Sequence, residues 1–114
     1  GVPTMTPGYQ SAELTCALAS THVLTHGLMT QPNLVQIWLK CLTTEFSWDV
    51  GDWYGPIGSE TFADGSSKGI GVAVTATNIK VVVGSNGITI LNAATGGRST
   101  ITPANWAIVV RAWK

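Results

Sequence analysis

The feature that most constrains this chain is alternation. Apolar side chains recur at every second position through most of its length, and no stretch of ten or more residues carries a convincing 3.6-residue repeat. Successive side chains of an extended strand point to opposite faces, so a period of two predicts sheet with one face turned to a core. Leu14, Cys16 and Leu18 share one phase of a first strand. Val35, Ile37, Leu39 and Cys41 form one face of a second, with Gln36, Trp38 and Lys40 on the other and Pro32 and Asn33 at its start, where a missing donor costs least. Ile70, Val72, Val74 and Ala76 alternate with a small second face of Gly69, Gly71, Ala73 and Thr75. Residues 79–83 and 88–91 flank Gly84-Ser85-Asn86-Gly87, a turn cluster of the length that joins two paired strands, and predict a hairpin there. Residues 94–99 read as a loop.

The closing segment, 105–113, is apolar on both sides. Trp106, Ile108, Val110 and Ala112 share one face; Ala107, Val109, Arg111 and Trp113 share the other. A strand of this kind needs cover on both faces. One face fits the core, and the other is expected to meet another subunit together with Trp38, which lies on the otherwise polar side of its strand. At 114 residues the chain has length for one core and not two. The expectation is an all-β domain, an antiparallel β-sandwich of about six to eight strands over residues 11–114. Residues 1–10 carry Pro3, Pro7 and Gly8 with almost no alternation, and are expected to form an extended arm.

Charge excludes several functions. Six basic and six acidic residues cancel, and charged residues make up 11% of the chain, under half the share of about 25% common in globular domains. Binding nucleic acid through phosphate neutralisation needs a basic surface that this composition lacks. Residues 14–39 contain no Asp, Lys or Arg and no Glu, but Ser, Thr, His, Gln, Asn and Pro interrupt them too often for a membrane-spanning helix. The opening GVPTMTPGYQ has no basic segment followed by an apolar run, and Met5 stands where a myristoylation signal needs Ser or Thr, so neither membrane insertion nor a lipid anchor is expected. Cys16 and Cys41 have no metal-finger spacing and sit in apolar strand phases, which predicts two buried, reduced thiols.

Chemistry-bearing constellations are sparse. His22 and His26 would form a metal pair on a helix, but in an extended segment residues four apart lie about 13 Å from each other. No Gly-x-Ser-x-Gly elbow is present, and neither cysteine lies in a polar, activating run. No catalytic residue, metal ligand or cofactor is assigned, and the expectation is a protein that is not an enzyme.

Enrichment singles out one stretch. Residues 45–64 hold five of the six acids (Glu45, Asp49, Asp52, Glu60, Asp64) and five of the nine aromatic residues (Phe46, Trp48, Trp53, Tyr54, Phe62). Flat rings offer an apolar face to sugar C–H groups while carboxylates accept from hydroxyls, so Trp48, Asp49, Asp52, Trp53, Tyr54 and Asp64 are the candidate glycan-binding residues. The competing reading has Phe46 and Trp48 filling the sandwich edge, the two aspartates closing turns, and Trp53 and Tyr54 sealing a subunit contact. Calcium is a weaker third reading, since no EF-hand spacing is present.

The runs His26-Gly27-Leu28, Leu34-Val35-Gln36-Ile37-Trp38-Leu39-Lys40-Cys41 and Thr44-Glu45-Phe46-Ser47-Trp48-Asp49-Val50-Gly51-Asp52 resemble a pattern of bacteriophage virion domains, often the outer domains of tail fibres. The resemblance continues through Val74-Thr75-Ala76-Thr77-Asn78-Ile79 to the closing strand with Trp106 and covers about residues 9–114. More loosely, the Pro32-led strand and the terminal tryptophan strand are similar to H-type lectins, six-stranded sandwiches that assemble as trimers and bind sugars near subunit boundaries. The resemblance implies a homotrimer, and the second face of the closing strand together with Trp38 puts its expected interface at Trp38, Val109, Arg111 and Trp113. It further implies a structural protein of the virion surface, assembled in the host cytoplasm and contacting other virion proteins. Two roles follow from it: a tail-fibre or receptor-binding domain that recognises host surface polysaccharide, or a trimeric capsid decoration protein that stabilises the head.

Overall fold

The computed structural model describes residues 8–57, 60–61 and 67–114. Among these there is no α-helix. Eleven strands follow in order: β1 (Tyr9–Gln10), β2 (Leu14–Thr15), β3 (Thr21–Thr25), β4 (Leu34–Cys41), β5 (Trp53–Ile57), β6 (Glu60–Thr61), β7 (Gly69–Val74), β8 (Asn78–Val83), β9 (Thr89–Leu91), β10 (Arg98–Thr100) and β11 (Trp106–Trp113). Three of the eleven are two-residue pieces, which leaves eight of three residues or more. A single 3-10 turn, Pro103–Asn105, leads into β11.

The strands form two main antiparallel sheets. In the first the order is β1-β11-β4-β5, with β2 also on the β11 edge; in the second it is β3-β8-β7-β6. β9 and β10 make a separate ribbon. Alternation explains how they meet. Ile37, Leu39 and Cys41 of β4 lie opposite Val110, Ile108 and Trp106 of β11, and all six are buried. Ile70 of β7 and Ile79, Val81 and Val83 of β8 supply the second sheet's side of the same core cluster, and Ile88 and Ile90 bring in the ribbon. Each fully buried aliphatic side chain contributes about 1.5–3 kcal/mol relative to exposure, so this shared apolar layer fixes both sheets and their registers.

Two strand expectations are corrected. The predicted hairpin across residues 84–87 does not form, because β8 already has β3 on one edge and β7 on the other. The Gly84 and Gly87 turn instead closes on the start of β7, with Gly84 N–H donating to Gly69 O and Gly69 N–H to Gly87 O, each at 2.9 Å. A Cβ on Gly84 would sit 2.5 Å from the Ser67 carbonyl oxygen, so only glycine allows that approach. Consecutive strands instead pair across short turns at β7–β8 and β9–β10. The first turns on Thr75, whose hydroxyl accepts the Asn78 N–H at 2.9 Å and the Thr77 N–H at 3.3 Å. The second turns through residues 92–97; the loop expected over 94–99 is therefore shorter at its end, because Arg98 and Ser99 pair with Leu91 and Ile90 as the start of β10.

The first strand is also shorter than its pattern. β2 ends at Thr15, and Leu18 is exposed rather than inward, because the chain turns to cross between sheets: Ser20 N–H donates to Ala17 O at 3.1 Å and Ala19 has φ 58°. Of the expected arm, residues 1–7 lie outside the described residues, while Tyr9 and Gln10 pair with Ala112 and Arg111 as β1.

Candidate functional site

The acid-and-aromatic stretch folds as a compact turn followed by the edge strand β5. Cys41 N–H donates to Asp52 O and Gly51 N–H to Cys41 O, which pins the turn to the end of β4. Within it the Asp52 carboxylate accepts the Asp49 N–H at 2.9 Å while Asp52 N–H donates to Asp49 O at 3.0 Å. Asp52 therefore holds a turn closed, as short acidic side chains do.

Trp48 and Tyr54 meet edge to face, with ring centroids 5.5 Å apart. Both polar ends reach the backbone of one residue. The Trp48 indole N–H donates to Leu91 O at 2.9 Å, and the Tyr54 hydroxyl accepts the Leu91 N–H at 3.3 Å. Leu91 pairs with Arg98 on β10, but it lies between the hydrogen-bonded pairs of that ladder, so its own N–H and C=O face the other way. Two side chains thus cap a strand edge that no strand covers among the described residues.

Trp53 points to the opposite side of β5. Because Lys40 lies opposite Trp53, Trp38 opposite Val109 and Gln36 opposite Arg111, these residues share the outer face of the first sheet. There the Trp38 and Trp53 rings meet edge to face at 6.2 Å, and the Arg111 guanidinium lies 4.8 Å from the Trp53 ring centroid. Arg111 Nε also donates to the Gln10 side chain at 3.0 Å, and the Trp38 indole donates to Gln36 at 3.2 Å. At one end of the face Lys40 and Glu13 form an ion pair at 3.4 Å.

The structure thus places all four predicted interface residues, Trp38, Val109, Arg111 and Trp113, on one face. Val109 needs a correction: at 2% exposure it is already covered within a single chain and offers no surface to a partner. Trp38, Arg111 and Trp113 are half-buried. Of the six candidate glycan residues, Trp48, Trp53 and Tyr54 line one open cleft of about 420 Å³ with Gly55, Pro56 and Ile57. Asp49 and Asp52 stand in the neighbouring turn and do not line it, and Asp64 lies outside the described residues.

Glu45 has a part that its place in the stretch did not signal. One carboxylate oxygen accepts the Thr102 N–H at 2.7 Å and the Trp106 indole N–H at 3.1 Å; the other accepts the Asn105 side-chain amide at 3.0 Å. Burial alone would push this carboxyl up, but the donors from Thr102, Trp106 and Asn105 outweigh it and hold Glu45 below its usual range. Its partners lie 57 to 61 residues away, so no local pattern marks the group.

The two histidines also bind backbone. His22 Nε2 lies 2.8 Å from Thr15 O. His26 Nδ1 accepts the Leu28 N–H at 3.0 Å, which leaves Nε2 to donate to Thr75 O at 3.0 Å and defines the tautomer. Among the described residues no three His, Cys, Asp or Glu side chains form a group able to hold a metal ion, and no helix is long and apolar enough to cross a membrane. Both cysteines are free and buried; burial pushes Cys16 up to about 12 and Cys41 in the same direction.

Comparison of the chain with protein-family models, with curated proteins and with solved structures finds no match.

Proposed function

We propose that this chain is a non-enzymatic domain of a bacteriophage virion surface, working as a homotrimer that reads host surface glycan. The observation that carries the reading is the position of Trp53, 37% exposed at the corner where the outer sheet face meets the cleft along β5. An exposed indole beside an open, shallow cleft suits stacking on a sugar ring. Its contact with Trp38 and Arg111 puts that cleft beside the face proposed to join subunits, as in the H-type lectins the sequence resembles. A monomer would leave a tryptophan-rich face wet, and three copies closing on it would bury it. Single sites of this kind bind weakly, and three linked sites raise avidity by roughly 10² to 10⁴.

A specific observation favours a second role, capsid decoration. Trp48 and Tyr54 commit their polar atoms to Leu91, which is structural use and leaves the cleft with Trp53 as its exposed ring. The experiment compares Trp53→Ala and Arg111→Glu with wild type by sedimentation, by adsorption to host cells and by particle stability to heat. Intact Trp53→Ala trimers that lose adsorption support glycan reading. Unchanged adsorption on particles that break down sooner supports decoration. A wild-type chain that sediments as a monomer at micromolar concentration overturns the trimer.

A further inference from the structure

Strand edges in natural sheets are blunted against pairing with other chains. Among the described residues nearly every edge of this fold follows that rule. The β1 and β2 edge is broken at residues 11–13, and Glu13 there pairs with Lys40. β5 carries Pro56, β6 has two residues, β10 is three residues long with Arg98, and β9 is capped at Leu91 by Trp48 and Tyr54. β3 departs from the pattern.

β3 is five residues, Thr21-His22-Val23-Leu24-Thr25, with no proline and no Asp, Glu, Lys or Arg, and it pairs with β8 alone. Val83 N–H donates to Ser20 O and His26 N–H to Thr77 O, so Ser20, His22, Leu24 and His26 are the residues whose backbone groups face β8. The N–H and C=O groups of Thr21, Val23 and Thr25 therefore face away from the sheet. All three residues are exposed, with Val23 at 55%.

We infer that this edge pairs with the β3 edge of a second copy of the chain, antiparallel and about a two-fold axis through Val23. The sequence is self-complementary in that register. Thr21 meets Thr25 of the second copy, Val23 meets Val23, and every outward N–H finds a C=O, while the exposed valines pack together with no charge to bury. The contact is isologous and closed, so it stops at two copies. It joins two four-stranded sheets into one of eight and uses the sheet opposite the Trp38 and Trp53 face, so it is independent of the trimer proposed above. Six backbone hydrogen bonds and two valines make a small interface, of the weak class below ~1,200 Å².

The test is sedimentation of the full chain and of Val23→Pro and Val23→Lys over a series reaching about 0.5 mM, where a weak contact of this size is populated. Proline at 23 removes an N–H that faces away from β8, so the internal ladder stays whole, and lysine gives a second variant that keeps the backbone donor. The expected result is a mass at high concentration twofold lower in both variants than in wild type, whatever the smaller unit is. Register is read separately by Val23→Cys and Thr21→Cys under oxidised glutathione. Paired Val23 positions would have Cα atoms about 5.5 Å apart, within disulfide reach, whereas two Thr21 positions would be about 13 Å apart. Cross-linking of Val23→Cys and not Thr21→Cys supports the register; equal cross-linking overturns it. An edge that takes a foreign strand instead would leave the mass of the purified chain unaltered by either substitution, and that result overturns the inference.

Discussion

The indole of Trp106 donates to the carboxylate of Glu45 at 3.1 Å across 61 residues of sequence, tying the turn after β4 to the start of the strand that organises the first sheet. Trp106 is 1% exposed, so its N–H needs a partner within the fold. The same carboxylate closes on Thr102 and Asn105, and one side chain thereby anchors the 3-10 turn at three points.

That anchoring predicts an acid-sensitive fold. A carboxyl held below its unfolded pKa adds stability that is present above the unfolded value, about 4.3 for Glu, and is lost as pH falls through the folded value. Unfolding by urea should become easier below about pH 4.3, and Glu45→Gln should flatten that dependence while costing about 1–3 kcal/mol at pH 7, since hydrogen bonds to a charged group are the stronger kind. Parallel pH profiles for wild type and Glu45→Gln would disprove the assignment.

The ribbon β9–β10 should loosen when its clamp is removed. Tyr54→Phe keeps its ring and deletes one hydrogen bond, so it should cost about 0.5–1.5 kcal/mol; Trp48→Phe deletes the other and also trims the ring packed against the core, so it should cost more. Amide exchange across residues 89–100 should rise in both variants, with the core strands β4 and β11 unchanged. Exchange that rises equally everywhere would show that the clamp is not local.

The thiols should be silent in the folded protein and count two in denaturant. Cys16, raised from 9.0 to about 12 by burial, keeps its proton in the folded state where the unfolded chain would lose it. Stability should therefore fall from about pH 9 towards 12, because alkali then favours the unfolded thiolate. Cys16→Ala should remove part of that alkaline loss in a thermal scan, and a variant with the wild-type alkaline profile would show that another group is responsible.

What alternation could show was which residues face inward. Ile37, Leu39, Ile79, Val81, Ile108 and Val110 are all in the core, and their phases are plain in the sequence. Alternation has no information about which strands are neighbours. The turn at Gly84 and Gly87 carries every local mark of a hairpin, yet β8 is a central strand with no edge to give, a fact about β3 and β7 that a local window cannot contain. Val109 shows the same limit from another side: its apolar phase was evident, but its cover comes from its own chain. Enrichment pointed to a stretch from which Trp48, Trp53 and Tyr54 line one cleft. It could not separate rings that grip the Leu91 backbone from the ring that stays open, because both uses draw on the same residue types.

The clamp on β9 has one more consequence. Trp48 and Tyr54 hold the peptide groups of residue 91 and not its side chain, which is 47% exposed. The grip is therefore indifferent to what residue 91 is, provided it is not proline, and indifferent to the turn at 92–97 beyond it. The fold presents that hairpin tip as a replaceable cassette: foreign residues set there would inherit a rigid base from two aromatic rings that never read them.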